Sequence, residues 1–209
     1  MLVKTILNQI TDYQSFIFES DKLIQKGEQK ELHITIKPRR NGKPICSGCA
    51  RQRPGYDTLP ARSFQFIPMW GILVYFVYAM RRVNCPCCGI KAEQVPWAQG
   101  KSPITRDYGW FLARWARRMS WSEVASVFRT SWHTVFCAVA MAVTWGREHM
   151  DLGGITAIGV DEMQWGRGHR YITVVYQINQ GAKRLLWVGE KRCAKTLLRF
   201  FRWLGKERT

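Results

Sequence analysis

The stretch AIGVDEMQWGRGHRYITVVYQI, residues 157–178, decides how the C-terminal part of this 209-residue chain folds. Apolar residues lead directly into Asp161, a glycine-containing turn follows at 166–168, and a second β-rich run spans 171–178. Asp161 therefore falls in the middle of a predicted strand. A buried carboxylate is costly unless a cation meets it, so this stretch raises the question of what meets Asp161.

The segments around Asp161 predict an antiparallel meander that leads into a helix. Three β-rich runs cover 157–164, 169–178 and 183–189, and the segment 194–209 repeats its apolar residues at helical spacing. This order is typical of the start of an RNase-H-like domain. In such enzymes the carboxylate on the first strand holds two divalent ions together with partners from later elements.

Asp161 is accordingly predicted to be a catalytic residue and a magnesium ligand, because magnesium prefers hard oxygen donors. The alternative is that Asp161 forms a salt bridge or stabilises a hairpin, as aspartates in strands often do. Arg167 and Arg170 are the candidate partners in that alternative.

The charge of the chain points to an anionic partner. It has 32 Lys and Arg against 15 Asp and Glu, a formal net charge of +17, which favours nucleic acid, with an anionic membrane surface as the rival. The most apolar run, 66–80, is too short for a membrane-spanning helix and contains Pro68 and Gly71, so it predicts a buried strand. No signal peptide is recognisable in residues 1–10, and we expect a cytoplasmic, nucleoid-associated protein without membrane attachment.

Two CxxC-like turns predict a zinc-binding ribbon, because each turn presents two thiolates at the bite that tetrahedral zinc needs. The predicted ligands are Cys46, Cys49, Cys85 and Cys88. Zinc would be structural here, since four cysteines leave no open position for catalysis. Cys87 is the surplus thiol, and Cys137 and Cys193 are predicted to be core residues. The alternative is a set of ordinary reduced cysteines.

The segment 107–145 predicts three helices, over 107–118, 121–128 and 132–145. Ser120 and Glu123 fit a capping box for the second helix, and Ser131 can cap the third. Two short helices joined by a tight turn fit a helix-turn-helix, although Arg129–Thr130 replaces the usual turn glycine. A plain helical bundle is the alternative.

In a helix-turn-helix the third helix of this segment would enter the major groove by its N-terminal residues. The predicted contacts there are Ser131, Trp132, His133 and Thr134, with Ala138 one turn further along. The arginines predicted to lie near the DNA phosphates are Arg114, Arg117, Arg118 and Arg129.

The fold class predicted from these segments is multi-module α+β. It comprises an N-terminal arm and β-hairpin (1–40), a β-rich zinc-binding ribbon (41–98), a helix-turn-helix domain (103–150) and the first three strands plus helix of an RNase-H-like domain (154–209).

Three motifs in this order resemble the ISL3 group of bacterial insertion-sequence transposases: RRVNCPCCGIKAEQVPWA, WFLARWARRMSWSEVASVF and IGVDEMQWGRGHRYITVVYQI. The resemblance covers nearly the whole chain. It implies a zinc ribbon, a helix-turn-helix and a catalytic domain with a DDE carboxylate triad, in which the four ribbon cysteines and Asp161 match the family's positions. It also implies zinc, magnesium in the intact enzyme, and double-stranded DNA of the element's terminal repeats as partner.

One departure from the family bears on activity. After Asp161 the sequence contains no further Asp, and its later acids are Glu162, Glu190 and Glu207. We therefore expect a truncated transposase that keeps zinc and DNA binding, lacks strand transfer, and forms homo-oligomers or associates with an intact copy. Metal-dependent nicking that disappears in Asp161→Ala would contradict this expectation.

A truncated catalytic domain would also be marginally stable, with exposed strand edges and poorly buried Phe200, Phe201 and Trp203. The main alternative function is a zinc-ribbon helix-turn-helix transcriptional regulator without catalysis.

Overall fold

The computed structural model describes residues 3–11, 13–179, 181 and 183–207, with side chains to residue 205. The chain forms two compact units, Met1–Gly146 and Arg147–Thr209. The described residues are mixed α/β, with two sheets and five helices.

The first unit begins with a helix, α1 (Val3–Ile10), and continues into a five-stranded sheet. Its strands are β1 (Phe16–Lys26), β2 (Gln29–Pro38), β3 (Gly55–Met69), β4 (Ile72–Cys85) and β5 (Gly89–Ala92). The order is β1-β2-β4-β3, with β5 paired to β4. The β2–β4 pair is parallel and the other pairs are antiparallel.

The sheet of the first unit buries one face of β2 and β4, together with the first residues of β1 and the second half of β3. Leu32, Ile34 and Ile36 on β2 are buried, as their alternation predicts. Trp97, after β5, is fully buried with its ring against those of Phe16 and other core aromatics. The N-terminal hairpin is confirmed, and it shares this sheet and core with strands from the 41–98 segment.

The apolar run 66–80 forms parts of two strands, so the prediction of one buried strand is wrong. The chain reverses at Trp70–Gly71, where φ is 50° and 75°. Glycine adopts this left-handed conformation without a Cβ clash, which permits the tight turn between β3 and β4.

Three helices follow the sheet: α2 (Arg106–Trp115), α3 (Trp121–Val127) and α4 (Trp132–Glu148). Both predicted caps are confirmed. Ser120 and Glu123 form a reciprocal capping box, and Ser131 Oγ accepts a hydrogen bond from the backbone N–H of Thr134 at 3.0 Å. The helices pack around a small apolar core that includes Tyr108, Leu112, Val124, Val135 and Ala138.

The second unit is a three-stranded antiparallel meander followed by a helix, as the segment order predicts. It contains β6 (Ile158–Gly166), β7 (Arg170–Gln177), β8 (Arg184–Glu190) and α5 (Ala194–Glu207). Val175, Leu186 and Phe200 form its core with Leu152.

The expectation of poor burial in α5 is wrong for Phe200, which is fully buried. It is confirmed for Phe201, whose surface is 48% exposed, while Trp203 is half-buried. An amphipathic helix buries one stripe, and Phe200 alone of these three points its ring at the centre of that stripe.

None of the helices in the described part of the chain is long and apolar enough to cross a membrane.

Candidate metal centre and nucleic-acid interface

The four predicted ligand cysteines lie together at one end of the first sheet. Cys46 and Cys49 lie in the loop after β2, and Cys85 ends β4, with Cys88 in the turn to β5. Their sulfurs all lie within 4.8 Å of one another, and the Sγ atoms of Cys49 and Cys85 are 3.7 Å apart. The predicted gathering of these thiols is therefore confirmed.

The geometry of this cysteine cluster fits a tetrahedral metal ion. With zinc–sulfur bonds of about 2.3 Å, tetrahedral ligands lie about 3.8 Å from one another. Two turns create the cluster: Ala50, with φ 55°, donates its N–H to the Cys46 carbonyl at 2.9 Å, and Gly89, with φ 71°, follows Cys88. Cys87 is exposed and outside the cluster, in agreement with the CxxC spacing.

The local environment separates the acidities of these thiols. Burial raises the pKa of the Cys85 thiol. Hydrogen bonds from the backbone N–H groups of Cys87 and Cys88 and from the neighbouring thiols outweigh this effect and lower the pKa to about 6. Burial and the neighbouring sulfurs raise the pKa of Cys88 well above its usual range. Because a bound metal must displace the protons of such thiols, metal affinity falls as the pH is lowered.

Arg53 places a positive charge beside the cluster, which the sequence analysis did not predict. Its guanidinium Nη2 lies 4.0 Å from Cys49 Sγ and 3.9 Å from Cys87 Sγ. A backbone hydrogen bond involving Arg51, and then the side chain of Arg53, lower the pKa of Cys49. Both contacts favour the thiolate that binds metal.

Gly48 lies so close to Cys88 that we expect any side chain there to disturb the cluster. A Cβ at this position would be 2.9 Å from Cys88 Sγ and 3.2 Å from Cys88 Cβ. Gly48→Ala should therefore weaken metal binding by about 10- to 100-fold, the loss that is typical when the groups surrounding a metal ligand are altered. Competition titration with a zinc indicator measures this effect. Gly55→Ala is the control, because no atom lies within 4 Å of its added Cβ, and equal losses in both variants would contradict the prediction.

A buried ionic network supports the same end of the sheet. Glu93 is 2% exposed, and its carboxylate accepts hydrogen bonds from Arg81 Nε at 2.9 Å, Arg81 Nη2 at 2.7 Å and the Tyr78 hydroxyl at 2.5 Å. Arg81 Nη1 also donates to the Gly42 carbonyl at 2.8 Å. The backbone of Glu93 bridges to Cys46, so this network holds the loop that carries the first cysteine pair. The sequence gives no indication of this network, because Glu93 is a single glutamate in a predicted loop.

The predicted phosphate-contacting arginines all lie on the surface of the helical segment: Arg114, Arg117, Arg118 and Arg129. None of the ion pairs found among the described residues includes them. Arg129 adopts φ 50°, the left-handed conformation that the missing turn glycine would adopt.

The predicted contact residues at the start of α4 differ in exposure. Trp132 and His133 are exposed, whereas Thr134 is half-buried, with its hydroxyl 2.8 Å from that of Ser131. Ala138 is 2% exposed, so the prediction that it reaches DNA is wrong: it faces the helical core.

The other two cysteines are exposed, so their assignment to the core is wrong. Cys137 lies on the outer side of α4, 3.5 Å from His133 Nε2. Cys193 precedes α5, and its sulfur is 3.2 Å from the Thr196 hydroxyl. Apolar neighbours in sequence do not bury a residue whose helical position faces outward.

Asp161 lies in the middle of β6, as predicted, opposite Val174 of β7. It is exposed, so no cation is needed to offset burial, and its Oδ1 accepts a hydrogen bond from the Glu162 N–H at 2.8 Å. No ion pair found among the described residues joins it to Arg167 or Arg170. Within the described ranges, the four cysteines are the only group of three or more ligand side chains that meet, so Asp161 does not by itself fit a two-metal site.

The chain is similar to known transposases. Residues 158–209 match the family model of ISL3-type DDE transposases, whose description is "Transposase". The transposase for insertion sequence element IS1557 of Mycobacterium tuberculosis is 31% identical over 194 residues, which are 91% of this chain and 42% of that protein. The transposase for IS1001 of Bordetella parapertussis is 27% identical over 84% of this chain and 43% of its own length. No solved structure is significantly similar to the chain.

These matches show that the chain is similar, over most of its length, to part of the insertion-sequence transposases. Its residues 158–209 belong to the ISL3-type transposase family, which confirms the resemblance that the three motifs indicate. The chain spans less than half the length of the curated relatives that it matches.

Proposed function

We propose that this chain binds the terminal repeats of an insertion sequence and takes part in DDE-type transposition. The observation that carries the proposal is its similarity to the IS1557 transposase over 91% of the chain. The net charge of +17 supports a polyanionic partner. A transcriptional regulator is not favoured, because the relatives are named as transposases and β6 carries the strand aspartate that such a regulator does not need.

The four gathered cysteines act in this proposal as a structural zinc site. Four thiolates are the soft donors that zinc prefers, and they leave no open position for a substrate. The bound ion would hold the loop of Cys46 against the turn of Cys88, and so fix the end of the sheet formed by β4 and β5.

The helices α3 and α4 act as a helix-turn-helix, with α4 in the major groove. Their four-residue connection, 128–131, is short enough for this motif, and the Tyr108 hydroxyl fixes it through the Phe128 carbonyl at 3.1 Å. The exposed arginines Arg114, Arg117, Arg118 and Arg129 would contact phosphates beside the groove.

Asp161 acts as the first carboxylate of the DDE site. When bound, magnesium would activate the attacking oxygen and stabilise the leaving one. Asp161 supplies one exposed carboxylate on a central position of β6, and a complete site needs further carboxylates, none of which gathers around it among the residues that the structure describes. We therefore expect the chain by itself to bind element ends without cleaving them, with an intact transposase copy as the catalytic partner. A nucleoid-associated location in the cytoplasm follows from DNA binding.

Removal of two arginines from the helical segment tests the DNA-binding part of the proposal. Arg117→Gln/Arg118→Gln should weaken binding to a duplex of the terminal repeat and to a scrambled duplex alike. The slope of log affinity against log salt should fall by about 2, because each arginine that contacts a phosphate releases about one counterion from the duplex. Fluorescence anisotropy across a salt series measures both quantities.

The matched control is Lys22→Gln/Lys30→Gln on the β1–β2 hairpin, which removes the same charge from exposed positions. Equal slopes in the two double variants would contradict the assignment of phosphate contacts to the helical segment. Equal affinity of the unaltered chain for terminal-repeat and scrambled duplexes would contradict the proposed function.

A further inference from the structure

From Trp132 to Gly146, before the last two residues of α4, the helix lacks the charged and amide side chains that usually read bases. Between Ser131 and Gly146 the sequence has no Lys, Arg, Asp, Glu, Asn or Gln. Bidentate hydrogen bonds to guanine or adenine come from Arg, Lys, Asn and Gln, and Asp or Glu accepts a hydrogen bond from cytosine. A groove-reading helix without these residues is left with single hydrogen bonds from hydroxyl or imidazole groups and with apolar contacts.

The exposure pattern of α4 defines which residues form this outer face. Val135 and Ala138 are buried against the helical core. Almost opposite to them, spaced by four, three and four residues, lies an exposed stripe that consists of His133, Cys137, Ala140 and Thr144. Phe136, which is 43% exposed, lies along the edge of this stripe.

Phe136 is held in place by neighbouring aromatic rings. Its ring is nearly parallel to that of Trp132, at 13° and 5.7 Å between centroids. The ring of Trp121 packs against both, with centroids 5.4 Å from Trp132 and 5.8 Å from Phe136. These contacts order an exposed apolar surface before any ligand binds, so little side-chain entropy is lost when DNA meets it.

The charge around this surface selects DNA as its occupant. Between residues 103 and 146 the sequence has five arginines, no lysine and two acids, Asp107 and Glu123. The Glu123 carboxylate already accepts hydrogen bonds from the Ser120 N–H at 2.8 Å and the Ser120 hydroxyl at 2.7 Å. A second copy of this positively charged segment would be repelled, whereas a duplex would be attracted.

We propose that α4 reads thymine through its C5-methyl group, by apolar contact with Phe136 and Ala140. This methyl is the apolar group that base pairs present on the floor of the major groove. The inference rests on the proposed function, because it concerns how the same helix selects its duplex. In this inference Arg117, Arg118 and Arg129 provide the affinity for DNA. The apolar contacts of Phe136 and Ala140 provide the sequence preference.

Deoxyuridine in place of thymidine tests this inference, since the exchange removes the methyl and leaves the hydrogen-bonding edges of the pair unchanged. A terminal-repeat duplex with deoxyuridine throughout should bind about three- to fivefold more weakly for each thymine methyl that α4 touches. Scrambled duplexes with and without the methyls should bind equally. Phe136→Ala should weaken binding to the thymidine duplex and lose most of its sensitivity to deoxyuridine.

Leu198→Ala is the matched control, because it truncates an apolar side chain of similar exposure on α5. It should keep the full deoxyuridine effect. Phe136→Leu should retain part of it, and thermal melting of each variant distinguishes an altered DNA-binding surface from an unfolded helical segment.

Equal affinity of the unaltered chain for thymidine and deoxyuridine terminal repeats would overturn the inference while leaving the proposed function intact. An undiminished deoxyuridine effect in folded Phe136→Ala would also overturn it, as would a change of oligomeric mass in that variant with unchanged base preference. Failure to prefer the terminal repeat over scrambled DNA would instead overturn the proposed function, and this inference with it.

Discussion

Cys85→Ser is expected to abolish stoichiometric zinc binding and to unfold the end of the sheet that carries the cluster. Cys85 is 2% exposed and ends β4, so its replacement removes a ligand and places a hydroxyl among sulfurs. Structural zinc contributes about 10–16 kcal/mol of binding free energy to small zinc-binding peptides, and much of it is folding free energy. We expect the bound zinc to fall from one ion per chain to none, with a lower thermal midpoint.

Cys87→Ser provides the control, since Cys87 is two residues away, exposed, and outside the cluster. This variant should bind one zinc ion and melt as the unaltered chain does. Metal analysis after dialysis and circular dichroism with and without chelator measure the two effects. Retention of one tightly bound ion by Cys85→Ser, or its absence from Cys87→Ser, would contradict the assignment of ligands.

Glu93→Gln is expected to lower the free energy of unfolding by about 3–5 kcal/mol, because it leaves the largely buried guanidinium of Arg81 without its counter-charge. The side chain of Glu93 is fully buried and that of Arg81 is 18% exposed, so solvent replaces little of the missing interaction. Urea denaturation at constant zinc measures the change. The loop of Cys46 should lose amide protection first, because Glu93 and Arg81 both bind its backbone region.

Asp57→Asn is the comparison for this prediction. Asp57 pairs with Arg82 on the exposed side of the same sheet, and its pKa is lowered by that side-chain contact. Solvent screens such a pair, so we expect little change in stability. The double variant Arg81→Met/Glu93→Leu should recover much of the stability that Glu93→Gln removes, since replacing both partners leaves no buried charge. A small effect of Glu93→Gln, equal to that of Asp57→Asn, would show that the network does not support the fold.

Sequence reasoning predicted most elements because their patterns are local. The alternation on β2, the capping box at Ser120 and the helical spacing in α5 each lie within one element, and each is confirmed. The choice of Cys88 over Cys87 followed from CxxC spacing alone. The same reasoning failed where exposure depends on the orientation of a whole helix, as for Cys137 and Ala138.

The exposure of Asp161 shows what a strand pattern cannot predict. A central position in a strand is readable from sequence, but its exposure depends on what lies beside the strand. β6 is an edge strand here, and Asp161 remains exposed without an ion pair among the described residues. Whether a strand lies at the edge or in the centre of a sheet depends on the order of the strands. The residue pattern within β6 contains no information on that order.

By itself, the sequence determined the positive charge, the elements around Asp161, the two cysteine turns and the resemblance to ISL3 transposases, because composition, periodicity and spacing are local properties of a chain. Only the tertiary structure decided that the N-terminal hairpin shares a sheet with the cysteine-bearing strands, that Arg53 approaches the thiols, and that Glu93 meets Arg81. These contacts join residues far apart in sequence. Many other pairs of residues in the chain could form the same kinds of contact, and the packing of the whole unit decides which pairs meet.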